Sequence, residues 1–355
     1  MIFSPDTNKP YRQPAAHTIY EVVNQRAGLH PERTAITAPG RQALTYAGLC
    51  QQVANTVADL RRCGLNRNDR VAVVLPNGPE MAVAFLAVAS GATCAPLNPS
   101  YRESEVEFYL TDLRARALLI ASGMDSPARQ VAEKQAIPVI ELIPDPEAPA
   151  GVFHLAWAKQ ESAAQEGFAL PEDTALVLHT SGTTSRPKIV PLTQSNICTS
   201  GHSIALSFGL REDDCCLNVM PLFHIHGLIG ALLASLTAGA GVACTPGLDP
   251  EKFFTWLEEL QPTWYTAVPT MHQAILTRMS TNGGAVRNGH FRFIRSCSAS
   301  MPQRLLVELE EAFGTRVVES YGMTEASHQI SSNPLGQLPR KLGSVGLAAG
   351  PDVAI

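Results

Sequence analysis

Residues 71–96 read VAVVLPNGPEMAVAFLAVASGATCAP, and this stretch decides the fold class of the 355-residue chain. Its β-branched run at 71–75 predicts a strand, its apolar run at 80–89 predicts a buried helix, and 93–96 predict a second strand. Because a strand, a helix and a further strand of these lengths form a crossover unit, the two strands should lie parallel in one sheet. We therefore expect an α/β fold with helices on both faces of a parallel sheet.

The same alternation of short apolar runs and helical stretches continues along the chain. Further strands are predicted at 117–121, 137–142, 175–178, 215–219, 241–245, 264–268, 291–295 and 316–319. Further helices are predicted at 103–113, 126–134, 250–260 and 302–313. Residues 144–172 begin with PDPEAPAG and lack clear periodicity, which indicates a connection between subdomains. We expect a first α/β subdomain at 1–170, a second at 171–328, and the start of a small β-rich subdomain at 329–355.

The composition is typical of an ordinary folded, soluble protein. Hydrophobic residues make up 45% and charged residues 17%, and the formal net charge of −5 argues against a nucleic-acid partner. The first residues lack the basic and apolar segments of a secretory signal. Two nearly uncharged stretches, 81–100 and 219–248, are broken by Gly, Pro and polar residues, so we interpret them as core and not as membrane spans. We expect a cytoplasmic protein, with a peroxisomal signal at a native C-terminus left open.

The eight cysteines predict neither a metal site nor a disulfide framework. They are scattered along the chain and include no CxxC pair. We therefore expect buried, reduced thiols.

The strongest local signal for function is HTSGTTSRPK at residues 179–188, directly after the predicted strand 175–178. Polyphosphate requires short donors, a closely approaching backbone and a cation, and this stretch supplies hydroxyl groups, a glycine and a lysine. The spacing differs from that of the common P-loop, and a solvated Ser/Thr-rich turn is the alternative. The candidate phosphate-binding residues are Thr180, Ser181, Gly182, Thr183, Thr184 and Lys188.

Two further stretches, PLFHIHG at 221–227 and SYGMTE at 320–325, follow in order. Together with residues 179–188 they resemble the adenylate-forming superfamily, which includes acyl-CoA synthetases, luciferases and peptide-synthetase adenylation domains. The resemblance covers nearly the whole chain. It implies the large N-terminal domain of these enzymes, with two doubly wound, mostly parallel sheets covered by helices. It also implies that a carboxylic acid, ATP, Mg²⁺ and coenzyme A take part, and that the second subdomain carries the ATP and acid site.

The resemblance assigns roles to the residues of SYGMTE. Glu325 would be a ligand of Mg²⁺, which prefers hard oxygen ligands, although a lone Glu is more often an exposed surface residue. Thr324 would donate to the α-phosphate. Tyr321 would stack beside adenine, and Ser320 and Gly322 would shape the floor of the pocket.

Other matching residues complete the candidate site. Ser298, Ala299 and Ser300 match a short loop that lines the other side of adenine, with a plain turn as the alternative. A histidine in an apolar segment is more often a hydrogen-bonded core residue, but the resemblance places His224 against the carboxylate and the α-phosphate. His226 is left as structural or pocket-lining. The candidate catalytic residues are therefore Lys188, His224, Thr324 and Glu325.

Four stretches resemble one subgroup, the oxalate–CoA ligases: residues 179–188, 263–273 (TWYTAVPTMHQ), 293–300 (FIRSCSAS) and 323–335 (MTEASHQISSNPL). The resemblance implies that Ser298 and His328 hold a small dicarboxylate. We expect the imidazolium of His328 to pair with the distal carboxylate, since a second carboxylate requires donors and preferably a positive charge. The alternative for His328 is a polar surface histidine on a loop.

The resemblance implies a C-terminal domain with a catalytic lysine and a ribose-binding aspartate, for which residues 1–355 offer no matching stretch. GSVG at 343–346 matches the superfamily, but Leu347-Ala348-Ala349 replaces the usual proline-containing continuation. We therefore expect a fragment that is incomplete for the full reaction. The alternatives are a medium- or long-chain acyl-CoA ligase, an adenylation domain that loads a carrier protein, and a nucleotide-binding module without turnover.

Overall fold

The computed structural model describes residues 14–158, 167–180, 187–281, 291–336 and 338–354. The described chain forms two β-sheets with helices packed on them. The larger sheet has, in spatial order and within these ranges, β16 (Leu347–Ala348), β15 (His328–Ser332), β14 (Val317–Met323), β13 (Phe293–Ser296), β12 (Trp264–Ala267), β10 (Cys215–Asn218), β11 (Gly241–Cys244), β1 (Thr34–Thr37) and β2 (Leu44–Thr45). The strands from β14 to β1 are parallel, while β15, β16 and β2 pair antiparallel at the two edges.

The smaller sheet has the same plan of a parallel centre with antiparallel edges. Its described strands are, in order, β7 (Phe153–Trp157), β6 (Val139–Pro144), β5 (Ala117–Ala121), β3 (Arg70–Val74), β4 (Thr93–Pro96), β8 (Thr174–Thr180) and β9 (Lys188–Thr193). β7 and β9 are the antiparallel edge strands. The predicted α/β class with mostly parallel, helix-covered sheets is therefore confirmed, with the addition of mixed edges.

Helices cover both sheets. They are α1 (Ile19–Leu29), α2 (Tyr46–Arg62), α3 (Pro79–Gly91), α4 (Glu103–Leu113), α5 (Pro127–Lys134), α6 (Gln194–Ser207), α7 (Ala234–Ala238), α8 (Phe253–Leu260), α9 (Pro269–Thr281) and α10 (Gln303–Phe313). Nearly every residue of α3 is buried, which explains its uncharged sequence. Among the described residues, no helix has the length and apolarity needed to cross a membrane.

Two segments that the sequence analysis singled out differ from their predicted structure. The predicted connection at 144–172 contains the edge strand β7, which pairs with β6. The apolar run after His224 is a buried helix, as expected, but its first part, His226–Leu233, is a π-helix. Single π-helical turns occur often at functional sites, because they redirect side chains.

Each of the two sheets contains strands from both sides of residue 170. Strands β8 and β9 lie in the smaller sheet, whereas β1 and β2 lie in the larger one. The proposed division at residue 170 therefore does not coincide with the division between the sheets, and it remains a prediction about subdomain organisation. All eight cysteines lie in the described ranges, and five of them are buried.

Candidate active site

A cavity of about 350 Å³ opens at the carboxyl ends of four neighbouring parallel strands of the larger sheet. Its lining residues are Leu178, His179, Met220, Phe223, His224, Ile225, His226, Val268, Ser298, Gly322, Met323, Thr324 and His328. Met220, Val268 and Ser298 each follow one strand, and Gly322 lies near the end of β14. Because open α/β sheets bind ligands outside the carboxyl ends of their strands, this is the expected position for a site.

Among the residues that line the cavity, His226, Ser298 and His328 form a connected group, here called the inner cluster, in which the two histidines are buried and Ser298 is exposed. Nδ1 of His226 lies 3.0 Å from Oγ of Ser298, and its Nε2 lies 2.6 Å from Oγ1 of Thr266. The rings of His226 and His328 stack with centroids 5.0 Å apart. His226, which the sequence left without a specific role, is therefore the residue that joins Ser298 to His328.

The backbone of the inner cluster is strained. Ser298 has a φ of 71° and His328 a φ of 104°, values that residues with side chains rarely adopt. Such strain, which costs on the order of 1–3 kcal/mol per residue, is concentrated at functional sites. A Cβ atom at Gly322 would overlap the carbonyl of His328, so only glycine permits this approach of β14 to β15. The sequence identified Ser298 and His328 as one site, and the structure brings them to one cavity.

The protonation state of His328 differs from the sequence prediction. Its Nε2 lies 3.1 Å from Nη2 of Arg295, and a guanidinium can only donate, so Nε2 accepts. Burial, together with the charge of Arg295, lowers the pKa of His328 well below its usual value. The prediction of an imidazolium at this position is therefore wrong: His328 is a neutral imidazole, and the positive charge lies on Arg295.

Thr180, Lys188 and Glu325, here called the outer cluster, lie at a second position beside the cavity. The hydroxyl of Thr180 donates to Oε1 of Glu325 over 3.3 Å, although 145 residues separate them. Lys188 stands opposite Thr180 in the β8–β9 ladder with an exposed side chain. The predicted phosphate-binding residues Ser181, Gly182, Thr183 and Thr184 lie outside the described residues. The two ends of that loop nevertheless lie next to each other.

The remaining predicted residues divide into those that line the cavity, those that are exposed outside it and one that is buried behind it. Gly322, Thr324 and His224 line the cavity, and burial lowers the pKa of His224, which keeps it neutral at neutral pH. Tyr321 is 48% exposed, and Ala299 and Ser300 are exposed outside the cavity lining.

Ser320 is buried behind the cavity. Its Oγ lies 3.4 Å from Nε of Arg295 and 3.0 Å from Oγ of Ser332. Ser320 therefore supports the inner cluster from the rear and does not form the surface that a ligand would meet.

Two residues that sequence reasoning did not single out belong to the site. Arg295 is fully buried against His328, and its sequence signal was a charged residue inside a predicted core strand. His179 lines the cavity and its Nε2 lies 3.0 Å from Oδ2 of Asp112. His179 belonged to the quoted phosphate loop, but its neighbour Asp112 is distant in sequence and carries no signal.

Comparisons with known proteins identify the family of the chain. Residues 23–355 match the family described as AMP-binding enzyme. The chain is 41% identical over 348 residues to an oxalate–CoA ligase of Arabidopsis thaliana, covering 95% of this chain and 67% of the relative. It is 37% identical over 312 residues to an oxalate–CoA ligase of Saccharomyces cerevisiae, covering 81% of this chain and 57% of the relative. The chain thus spans about two thirds or less of the length of these curated relatives.

Solved structures share the fold. The ATP-bound MatB from Rhodopseudomonas palustris has a TM-score of 0.76 at 26% identity, covering 92% of this chain and 64% of that one. The o-succinylbenzoate CoA synthetase MenE from Bacillus subtilis, in complex with its acyl-adenylate intermediate, has a TM-score of 0.75 at 28% identity, covering 92% and 63%.

Proposed function

Because the chain belongs to the AMP-binding enzyme family, we propose that it holds the ATP and acid site of an AMP-forming CoA ligase whose substrate is a small dicarboxylate. One observation carries the substrate proposal: Ser298, His226 and His328 meet on the lining of a cavity of about 350 Å³. Hydroxyl and imidazole groups suit an anion, whereas a fatty-acid pocket would be apolar at its inner end.

The two clusters fit the two halves of an adenylation reaction. The outer cluster combines a hydroxyl, a lysine and a carboxylate next to the phosphate loop, and the inner cluster offers donors to an acid. Thr324 and His224 line the cavity with the inner cluster, where they would meet the carboxylate and the α-phosphate. Two anions must approach each other in this reaction, so holding them in line and donating to the developing charge are the main tasks of the side chains.

Glu325 fits the role of a Mg²⁺ ligand. Its carboxylate is exposed and lies beside the Thr180 hydroxyl, and Mg²⁺ usually takes one or two carboxylates together with waters and phosphate oxygens. Within the described ranges there is no cluster of three or more His, Cys, Asp or Glu side chains that would hold an ion alone. When bound, Mg²⁺ would neutralise phosphate charge, and Glu325 would orient it.

The names of the relatives support both the acceptor and the substrate class. They are called oxalate–CoA ligase, sulfoacetate–CoA ligase and 2-succinylbenzoate–CoA ligase, and each of these acids carries a second anionic group. The thiol acceptor we propose is therefore coenzyme A, and the acid we propose is oxalate or a similarly small diacid.

The test is calorimetric binding of non-hydrolysable acyl-adenylate analogues to this chain, comparing oxalyl, malonyl, acetyl and octanoyl forms. We expect the oxalyl form to bind most tightly, and we expect His328→Ala to abolish this preference while leaving acetyl binding unchanged. Preference for the octanoyl form would favour a medium- or long-chain ligase. Absence of binding by every analogue would contradict the proposed ATP and acid site.

A further inference from the structure

Arg295 is a buried cation for which the described part of the chain supplies no carboxylate partner. Its side chain is 0% exposed, and its hydrogen bonds all go to neutral groups. A guanidinium stays protonated in proteins, and burying a charge without a counter-ion is costly. The fold therefore maintains a positive charge next to the cavity that no acidic side chain among the described residues neutralises.

The hydrogen bonds of Arg295 fix its position from three sides. Nη2 donates to Nε2 of His328 and to Oε1 of Gln329, both over 3.1 Å. Nη1 lies 3.4 Å from the carbonyl of Gly230 in the π-helix, and the guanidinium carbon lies 5.3 Å from the ring centre of Phe208. Gln329 is itself held, because its Nε2 donates to Ser207 and to the carbonyl of Ala349. The guanidinium is therefore preorganised.

The contact with Arg295 also decides which nitrogen of His328 carries the proton. Because Nε2 accepts from a group that can only donate, the proton of the neutral ring lies on Nδ1. No hydrogen bond from the described residues occupies Nδ1, and His328 lines the cavity. The tautomer of a ring that lines the cavity is therefore set by the arginine behind it.

We propose that Arg295 is the positioning residue that makes the inner cluster select acids with a second anionic group. It fixes the Nδ1–H tautomer of His328, and it supplies the positive charge that the neutral histidine cannot. An anion in the cavity would be the missing counter-charge, while a neutral group of the same shape would leave the guanidinium uncompensated. This inference rests on the proposed function and names the residue behind its substrate class.

The binding test compares Arg295→Met and Arg295→Lys with the unmodified chain. The probes are an oxalyl-adenylate analogue and its oxamoyl counterpart. In the oxamoyl form a neutral amide of the same shape replaces the distal carboxylate. We expect the preference for the oxalyl form to fall about 10- to 100-fold in R295M, which is the usual size of a charge-assisted contact. Oxamoyl binding should change little. R295K keeps the charge but loses the planar fork, so it should recover part of the preference.

The matched control is Arg304→Met, because the side chain of Arg304 is 92% exposed on α10 and pairs only with Glu308 in the described chain. R304M should keep the full preference. An unchanged oxalyl-to-oxamoyl ratio in folded R295M would overturn the proposal. If the unmodified chain bound neither probe, the proposed function would fail instead.

A second measurement needs no substitution at Arg295. In the ¹⁵N-histidine NMR spectrum, with His328 assigned by comparison with His328→Gln, we expect protonated Nδ1 and unprotonated Nε2 at pH 7. A proton on Nε2 would overturn the proposal, even if R295M did not fold. The tautomer result does not depend on ligand binding, so it separates the role of Arg295 from the proposed function.

Discussion

Replacing Gly230 by alanine tests whether the inner cluster depends on close packing against the π-helix. A Cβ atom at this position would lie 2.5 Å from Nε2 of His328 and 2.7 Å from Nη1 of Arg295. Both distances are shorter than van der Waals contact, so one of these side chains must move. Gly28 in α1 provides a matched control, because a Cβ atom there meets nothing within 4 Å.

The two substitutions should change the free energy of unfolding in opposite directions. Alanine is favoured over glycine in a helix, so G28A should stabilise the fold by about 0.5–1 kcal/mol. G230A gains the same contribution but overpacks a core, which costs about 1–3 kcal/mol. With an unfolding entropy of about 2.1 cal/mol/K per residue, 1 kcal/mol shifts the Tm of a chain of this length by about 1.3 °C.

Differential scanning calorimetry measures both variants. We expect G28A to melt about 1 °C above the unmodified chain and G230A up to about 3 °C below it. In the binding assay, the oxalyl analogue should bind G230A at least about tenfold more weakly, because a displaced His328 no longer offers Nδ1 at the right position. G28A should bind normally. A G230A variant with unchanged Tm and unchanged affinity would refute the packing argument.

Three further predictions concern other parts of the site and core. Ser298→Gly should relieve the strain of a positive φ, so it should raise the free energy of unfolding in urea by about 1 kcal/mol while weakening binding of the oxalyl analogue. If Ser298→Ala stabilised the chain equally, the backbone strain at this position would be contradicted. Burial lowers the pKa of His272 to about 3, so the unfolded chain alone binds this proton between about pH 6.5 and 3, and stability should fall as the pH falls through that window. His272→Gln should remove about 1.4 kcal/mol per pH unit of that slope, measured by urea unfolding at pH 6 and 5, and an unchanged slope would show that His272 is protonated when folded. Glu325→Gln should leave Tm unchanged, because the carboxylate is exposed, but it should reduce the increase in ATP affinity that Mg²⁺ causes at least about tenfold. If Mg²⁺ increased the ATP affinity of this variant as much as that of the unmodified chain, Glu325 would not be a metal ligand.

The sequence predicted those helices and strands whose own residues show the periodicity of the element. Helix α4 and strands β4 and β5 have the predicted bounds, because periodicity and burial coincide in the centre of a parallel sheet. The edge strands β7 and β9 were missed. An edge strand is only half buried, and β9 contains Pro191, which normally argues against a strand.

The π-helix at His226–Leu233 was not predictable from its apolar pattern. An α-helix would bury the same residues, and the choice depends on tertiary contacts. Nδ2 of Asn218 donates to the carbonyl of Gly227 over 3.2 Å, and a Cβ at Gly227 would lie 2.5 Å from the carbonyl of Pro221. These partners belong to β10 and the loop after it, so the geometry follows from the assembled sheet.

The motifs located Ser298, His224 and Thr324 in one cavity because they follow the carboxyl ends of parallel strands, which lie at the same edge of the sheet. His328 joins them because it begins β15, which runs antiparallel to β14, so its amino end lies at that same edge. Arg295 was not identified, although its position inside a predicted core strand was visible. A buried arginine usually indicates an ion pair with a distant carboxylate, and the sequence cannot show that its acceptors are neutral.

The protonation state of His328 in the inner cluster follows from its burial, and the presence of a histidine in the sequence does not determine it. A histidine in a motif suggests a group that is charged in acid and neutral in base, because its ordinary pKa lies near neutrality. His328 is buried and accepts a hydrogen bond from Arg295, which holds its pKa well below the ordinary histidine value, so its ring is neutral at neutral pH. Burial lowers the pKa of the Arg295 guanidinium from its ordinary value, but a guanidinium stays protonated over the pH range in which histidines titrate, so the positive charge beside the cavity does not change there. An acid site built in this way keeps its affinity for a second carboxylate at alkaline pH, whereas a site based on an imidazolium would lose about tenfold in affinity per pH unit.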